Sequence, residues 1–156
     1  MNTLKYKSPY GIITIGEKNN AITKIYLPNA EPNTAESPSG LLEKAKIQFD
    51  EYFAGKRKIF DLPIDFDHCT DFMKSVYREL LKIPYGKTAS YKEIAEKIGC
   101  PKGYRAVGQA NNKNPIAIIV PCHRVIGFSG NPTGYAGGVN LKIKLLELEK
   151  TFTAIV

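Results

Sequence analysis

Residues Ala89 to Asn114 read ASYKEIAEKIGCPKGYRAVGQANNKN. Ser90 and Glu93 have the spacing of a capping box, which predicts a helix from Tyr91 to Ile98. The turn-forming sequence GCPKG follows, and a second helix is predicted from Tyr104 to about Lys113. Two short helices around such a turn are typical of a helix-turn-helix, although an ordinary helical hairpin has the same pattern.

The second helix of this pair would present polar side chains to a nucleic acid. In a helix-turn-helix, the second helix lies in a DNA groove and uses residues near its N-terminus. The small residues Ala106, Gly108 and Ala110 would allow a close approach to a duplex. The polar side chains that this helix would carry are Tyr104, Arg105, Gln109, Asn111, Asn112 and Lys113.

The distribution of charge also favours a polyanionic partner. The chain of 156 residues has a net charge of +7, which is typical of nucleic-acid-binding proteins but also occurs in basic proteins of other kinds. No Asp or Glu occurs between Lys97 and Lys144. The basic residues of that stretch are Lys97, Lys102, Arg105, Lys113, Arg124, Lys142 and Lys144.

The first part of the chain predicts a small sheet with one helix. Residues 2–28 contain three short runs rich in β-branched residues and tyrosine, separated by turn sequences, which predict an antiparallel meander. A helix is predicted from Leu41 to Phe53, and Gly55 ends it. The extended, proline-containing segment that follows marks a domain boundary, so we expect domains at 1–66 and 67–156.

The second part of the chain is predicted to be mainly helical. Besides the helix-turn-helix, apolar periodicity predicts helices at Asp71–Lys82 and Val139–Lys150. Residues 114–121 (NPIAIIVP) are predicted to be extended, since a proline keeps its preceding residue out of the helical region. Residues 127–138 are predicted to form a glycine-rich loop, since they contain several glycines and a proline. The sequence therefore predicts an α+β protein with a sheet domain and a mainly α domain.

The cysteines and histidines favour neither disulfides nor a metal. An odd number of cysteines without a C-x-x-C pair (Cys69, Cys100, Cys122) argues against a disulfide framework. With His68 and His123 as the only histidines, a zinc site would need nearly all of these residues, so we expect no metal. No apolar run reaches the roughly 18 residues of a membrane span and no signal peptide is apparent, so we expect a cytoplasmic protein without a membrane partner.

Cys122 differs from the other cysteines in its immediate neighbours. A buried cysteine usually behaves as a small hydrophobic residue, and the apolar run before Cys122 fits that interpretation. However, Pro121 fixes the preceding backbone and His123 follows directly. Since a nucleophilic cysteine reacts as the thiolate, with a reference pKa of about 8.5, it needs a base at neutral pH. Adjacent side chains rarely touch, so a water would have to connect His123 to the sulfur.

A histidine base needs a carboxylate on its other ring nitrogen, which sets its tautomer and stabilises its charged form. After residue 96 the only acidic residues are Glu147 and Glu149. Both lie in the last predicted helix, and spacing alone does not choose between them.

Five short motifs occur together and in the order found in one known family. These motifs are SY, RAVG, NP, PCHRV and Y-x-GG, within a stretch from about Phe72 to Glu149. With them, the chain resembles the methylated-DNA–protein-cysteine methyltransferases, also called O6-alkylguanine-DNA alkyltransferases. The resemblance implies a monomeric DNA-repair enzyme that acts once, without a cofactor, on O6-alkylguanine in double-stranded DNA. It leaves open whether O4-alkylthymine is also repaired.

The resemblance also implies roles for the matching residues. Cys122 would accept the alkyl group, His123 would act as its base through a water, and Glu149 would orient His123. Tyr91 would give a proton to guanine N3. Arg105 would fill the gap that the extruded nucleotide leaves in the base stack.

Further roles follow from the same resemblance. Asn114 would join the recognition helix to the active-site segment. The backbone carbonyls of Cys122 and Val125 would accept hydrogen bonds from the exocyclic amine of guanine. Further residues would shape the substrate pocket (Tyr135, Ala136, Gly137 and Gly138), and others would join Arg105 in contacting DNA (Tyr104, Gln109, Asn112 and Lys113).

The chain departs from the family pattern at two positions. Ala117 stands where many members have proline, which should weaken the apolar wall for bulky benzyl-type substrates. Ala136 stands where many have serine, so only a main-chain hydrogen bond to O6 is expected there. The alternatives are a Cys-His-Glu thiol hydrolase, a protein that binds damaged DNA without chemistry, and a regulator that passes the alkyl group to another cysteine such as Cys69.

Overall fold

The chain folds into two units. The computed structural model describes residues 1–66, 68–127, 135 and 137–154. One unit consists of Met1–Asp67 with Pro115–Ala117, and the other of His68–Asn114 with Ile118–Val156. Pro115–Ala117 belong to the first unit although they come from the second half of the chain. A backbone hydrogen bond connects them to it, in which the Ile25 amide donates to the Pro115 carbonyl at 2.8 Å.

The first unit contains a three-stranded antiparallel sheet with the order β1-β2-β3. Its strands are β1 (Asn2–Ser8), β2 (Gly11–Lys18) and β3 (Ala21–Tyr26). Asn19 and Asn20 connect β2 to β3, and both have positive φ angles. Asparagine tolerates this conformation better than most residues, and a two-residue turn of this kind matches the twist of a hairpin. The predicted meander is therefore confirmed.

Helix α1 (Gly40–Phe53) packs against β1 and β2. Ser39 caps its N-terminus by accepting a hydrogen bond from the Leu42 amide at 3.3 Å. Leu42, Ala45, Phe49 and Phe53 are buried on one side of the helix, as the helical spacing of its apolar residues predicts. The prediction of one helix after the sheet is confirmed, with its first residue at Gly40 instead of Leu41.

The second unit contains the helix-turn-helix. After α2 (Asp71–Leu80) come α3 (Tyr91–Lys97) and α4 (Tyr104–Asn112). The predicted capping box at the start of α3 is present, with Ser90 and Glu93 each bonded to the other's backbone amide. Gly99 follows α3 with φ +80°, the left-handed conformation in which many helices end. The α+β fold class with a helical second domain is confirmed.

Short elements connect the helix-turn-helix to the last helix. Cys122–Arg124 forms a single 3-10 turn, and β5 (Val125–Ile126) pairs in parallel with β4 (Ala89–Ser90). Helix α5 covers Val139–Ala154, beyond the predicted end at Lys150, because no Gly or Pro interrupts it. Helix α2 ends at Leu80 instead of Lys82, and the chain turns before it reaches Pro84.

The prediction of an extended segment at 114–121 is wrong at its centre. Ile118 has φ +73° and is buried, and the backbone turns between Ala117 and Val120. The restriction imposed by each proline reaches only the residue before it, so Pro115 and Pro121 leave Ile118 unconstrained. A positive φ is strained for a β-branched residue and persists only where the surroundings fix it.

Candidate active site

Cys122 lies at the start of the 3-10 turn, and its residue is only 2% exposed. Two asparagines near the end of α4 bind the backbone around it. The Asn114 side-chain amide donates to the Val120 carbonyl at 2.9 Å, and the Asn111 side-chain amide donates to the Cys122 carbonyl at 3.2 Å. Side-chain hydrogen bonds from Asn111 on α4 and from Asn114 just after it therefore hold the backbone around Cys122 in place.

The Cys122 thiol is in its neutral form at neutral pH. Burial raises the pKa of Cys122 to about 11, although a hydrogen bond from Asn114, the charge of Lys142 and the Tyr135 hydroxyl each act to lower it. Since the neutral thiol is a weak nucleophile, its reaction requires a base that removes the proton.

His123 is fully buried, and its ring is held from one side. Its Nε2 lies 2.6 Å from Oε2 of Glu149. Burial lowers the pKa of His123, and this effect is larger than the opposing effect of Glu149. The imidazole is therefore neutral at neutral pH. Because Glu149 is a carboxylate that can only accept, Nε2 carries the proton and donates it to Glu149. The other nitrogen, Nδ1, is left as an acceptor and has no partner in the part of the chain that the structure describes.

Glu149 is a buried anion surrounded by donors. Arg124 donates to it from Nε at 2.8 Å and from Nη2 at 3.0 Å, and the Gly86 amide donates to Oε1 at 3.2 Å. Burial alone would raise the pKa of Glu149, but the hydrogen bonds from His123 and Arg124 and the charge of Arg124 hold it far below its usual range. The structure thus places Glu149 against His123, whereas Glu147 is exposed.

Gly86 is a position where a side chain would not fit. Its φ is +77°, and a Cβ there would lie 2.2 Å from the Thr153 hydroxyl oxygen on α5. The lack of a side chain allows the Gly86 backbone to approach α5 closely enough to bond Glu149. The loop that precedes α3 therefore takes part in orienting the carboxylate.

Lys142 is a buried cation next to the cysteine that sequence reasoning did not assign to the site. Its Nζ donates to the Val125 carbonyl at 2.5 Å and lies 5.8 Å from the centre of the Tyr91 ring. Burial lowers the pKa of Lys142 to about 8, and Cys122 acts in the opposite direction. Lys142, Leu145 and Glu149 share one buried face of α5. That helical spacing, with a lysine on the apolar face, is the sequence signal that could have identified it.

The exposed face of α4 carries the side chains that were predicted to contact DNA. Tyr104, Arg105, Gln109, Asn112 and Lys113 are all exposed. Asn111 is not among them, because it points inwards and is 1% exposed. Arg124 and Lys142 are also buried, so these two residues contribute to the cysteine's surroundings instead of to a phosphate-binding surface.

The other residues singled out in the sequence lie in the second unit, except Ala117. Tyr91 is half-buried at the start of α3, and a Cβ at Gly108 would lie 3.8 Å from its ring. Val125 and Tyr135 are buried, Gly137 is half-buried and Gly138 is exposed with φ +94°. Ala136 lies outside the described residues. Ala117 is buried and belongs to the first unit.

Two further features of the described residues bear on function. Within them, no three His, Cys, Asp or Glu side chains lie close enough together to hold a metal ion. None of the helices described is both long enough and apolar enough to cross a lipid bilayer.

Comparison with known proteins agrees with this combination of a helix-turn-helix and a buried Cys-His-Glu arrangement. Residues 71–151 match the family model of the 6-O-methylguanine DNA methyltransferase DNA binding domain. Residues 3–66 match the model of the ribonuclease-like domain of the same methyltransferase. The fold and the site thus define a class of DNA-binding proteins that have a buried cysteine.

Individual relatives cover nearly the whole chain. Methylated-DNA–protein-cysteine methyltransferase of Mycobacterium tuberculosis is 49% identical in an alignment of 148 residues that covers 92% of this chain and 89% of the relative. The constitutive enzyme of that name from Bacillus subtilis is 42% identical, over 92% of each chain. A crystal structure of Mycobacterium tuberculosis OGT in complex with DNA matches with a TM-score of 0.90 at 46% identity, over 97% of this chain and 94% of that one.

The chain therefore belongs to the methylated-DNA–protein-cysteine methyltransferase family of DNA-repair enzymes.

Proposed function

We propose that this protein repairs DNA by transferring the alkyl group from O6 of an alkylated guanine to the sulfur of Cys122, once per molecule. The observation that carries the proposal is the buried arrangement of Cys122, His123 and Glu149, in which the 2.6 Å contact of His123 Nε2 with Glu149 leaves Nδ1 available as a base. The membership of the chain in a family of cysteine methyltransferases supports the same reaction.

The transfer would proceed as one displacement. Cys122 loses its proton through a water to Nδ1 of His123, and Glu149 stabilises the imidazolium that forms. The thiolate attacks the alkyl carbon, a sulfur–carbon bond forms and the carbon–O6 bond breaks. Guanine leaves with a proton added at N3. Since the product is a thioether without a carbonyl that water could attack, the protein is used up by the reaction.

The proposed recognition of guanine uses backbone carbonyls. Those of Cys122 and Val125 would accept hydrogen bonds from its exocyclic amine. The Val125 carbonyl accepts a hydrogen bond from Lys142, and the Cys122 carbonyl accepts two, from the Asn111 side chain and from the Val125 amide. A carbonyl oxygen has two lone pairs, so at Cys122 the guanine amine would share or replace one of the existing hydrogen bonds. The pocket would be completed by Tyr135, Ala136, Gly137 and Gly138.

Tyr91 is proposed as the group that protonates N3 of the leaving guanine. Its ring lies near the buried ammonium of Lys142, with 5.8 Å between Nζ and the ring centre. A nearby positive charge stabilises the phenolate that remains after the proton is given up. Lys142 therefore supports the role of Tyr91 as well as the ionisation of Cys122.

DNA binding is proposed for the exposed face of α4 in a domain that covers residues 67–156, with residues 1–66 as a separate N-terminal domain. The target oxygen lies within the base stack of the duplex, so the nucleotide must be turned out to reach Cys122. The exposed side chain of Arg105 would fill the gap. The protein would act as a monomer on duplex DNA in the cytoplasm, or in the nucleus of a eukaryote.

Replacement of Arg105 with alanine should slow repair of duplex DNA about tenfold, equivalent to ~1.4 kcal/mol, because nothing then offsets the loss of stacking. Reaction with free O6-methylguanine should be unchanged, since no stack is disturbed. The two rates can be compared by quantifying methylated protein over time. Arg78→Ala, which removes an exposed arginine on α2, is the control and should change neither rate. Equal slowing of both reactions in Arg105→Ala would refute the proposed role.

The proposed activity is tested by the mass of the intact protein. After incubation with a duplex that contains O6-methylguanine, the mass should increase by the equivalent of one methylene group. Peptide mapping should place the addition on Cys122, and a Cys122→Ser variant should show none. An unchanged wild-type mass, or methylation of Cys69 or Cys100 instead, would contradict the proposal.

A further inference from the structure

Asn111 differs in its surroundings from the other polar residues of the recognition helix. It is 1% exposed, although its neighbours Asn112 and Lys113 are exposed. Its side-chain amide donates to the Cys122 carbonyl at 3.2 Å. Because a carbonyl oxygen can only accept, this contact must be made by Nδ2. The orientation of the amide group, and therefore the position of Oδ1, is fixed.

Two buried acceptors next to Cys122 have no hydrogen-bond partner within the described residues. They are Oδ1 of Asn111 and Nδ1 of His123. Leaving a buried polar atom unpaired is destabilising, so native proteins normally satisfy such atoms with protein groups or bound water. Here one acceptor belongs to a residue bonded to Cys122, and the other to the residue that follows it in the chain.

We propose that Asn111 is a positioning residue that holds, through Oδ1, the water that carries the proton from Cys122 to His123. The inference deepens the proposed function and rests on it. A buried water typically makes about three hydrogen bonds. Here its partners would be the Cys122 sulfur, His123 Nδ1 and Asn111 Oδ1.

The proton balance is consistent with this arrangement. Before transfer, the water accepts from the Cys122 thiol and donates one hydrogen to His123 Nδ1 and the other to Asn111 Oδ1. As the thiol proton moves to the water, a water proton moves to Nδ1. Afterwards the water accepts from the imidazolium and donates to the thiolate and, still, to Asn111. The contact with Asn111 is the one that does not change direction, so it keeps the water in place during the transfer.

The experiment measures the reaction of Cys122 with iodoacetamide as a function of pH, which needs no DNA. Asn111→Leu has a similar volume but lacks both polar atoms, so the midpoint of thiol ionisation should rise by about one pH unit, a tenfold loss of rate at neutral pH. Asn111→Ala leaves space for solvent, so its midpoint should lie between those of Asn111→Leu and the wild type. Methyl transfer from duplex DNA should slow in the same order, with unchanged DNA affinity.

The matched control is Val107→Ala, which removes buried volume one turn earlier on the same helix. It should lower the melting temperature and leave the Cys122 midpoint unchanged, which separates a positioning role from a general loss of packing. Midpoints of wild-type value in Asn111→Leu and Asn111→Ala overturn the proposal. If Asn111→Leu does not fold, the Asn111→Ala midpoint decides. Absence of methyl transfer in the wild type would refute the proposed function instead, since the iodoacetamide titration does not depend on it.

Discussion

Replacement of Glu149 with alanine is expected to lower the free energy of unfolding of the second unit by about 3–5 kcal/mol, because it leaves a buried arginine without its counter-ion. Arg124 is 7% exposed and makes both of its Glu149 contacts at 3.0 Å or less. His123 also loses the acceptor that fixes its tautomer. Thermal or urea unfolding of the wild type and of Glu149→Ala measures the effect on stability.

Glu147→Ala is the matched control, since it removes an exposed carboxylate from the same helix. It should change neither stability nor Cys122 reactivity.

The effect of Glu149→Ala should also depend on pH. The pKa of Glu149 is lowered in the folded protein, so its contribution is complete above the unfolded-state pKa of about 4.3 and is lost as the pH falls below it. A difference between wild type and Glu149→Ala that does not shrink in acid would contradict this account.

Replacement of Lys142 with methionine should reduce the reactivity of Cys122 by about 10- to 100-fold at neutral pH, which corresponds to a rise of about one to two units in the thiol pKa. Lys142 is fully buried and its charge is one of the influences that lower the pKa of Cys122. Methionine keeps most of the length and apolar body of lysine but has no charge. The rate of reaction with iodoacetamide across the pH range measures the change.

Stability should change little in Lys142→Met, which makes the two effects separable. The substitution removes one hydrogen bond to the Val125 carbonyl, but it also removes the penalty of burying an ammonium group. Lys144→Met removes an exposed lysine two residues further along α5 and should leave the Cys122 rate as it is. If Lys142→Met reacts at the wild-type rate, Lys142 does not stabilise the thiolate.

Patterns that local chemistry determines could be read from the sequence. The capping box at Ser90 and Glu93 predicted the start of α3 because both partners lie within one helical turn. The meander was predictable because alternation and turn residues are likewise local. The turn at Ile118 was not predictable, because a positive φ in a β-branched residue depends on packing that no short motif encodes.

The site was predictable only in part, for a similar reason. The motif PCHRV draws attention to Cys122 and His123, and the small number of acidic residues limits the choice of a partner. However, the burial of Lys142 and Asn111 depends on how α4 and α5 pack around the cysteine. Their residue types, which are common on protein surfaces, suggested a DNA-facing role for Asn111 and no site role for Lys142. Long-range packing reverses that expectation for both residues.

Cys122 is proposed to accept one alkyl group and not to be regenerated. The most direct measurement is a titration in which a fixed amount of protein meets increasing amounts of duplex containing O6-methylguanine, and repaired guanine and methylated Cys122 are counted together. Both quantities should rise in parallel and stop at one per protein molecule. Continued repair beyond one equivalent, or repair without methylation of Cys122, would contradict this proposal.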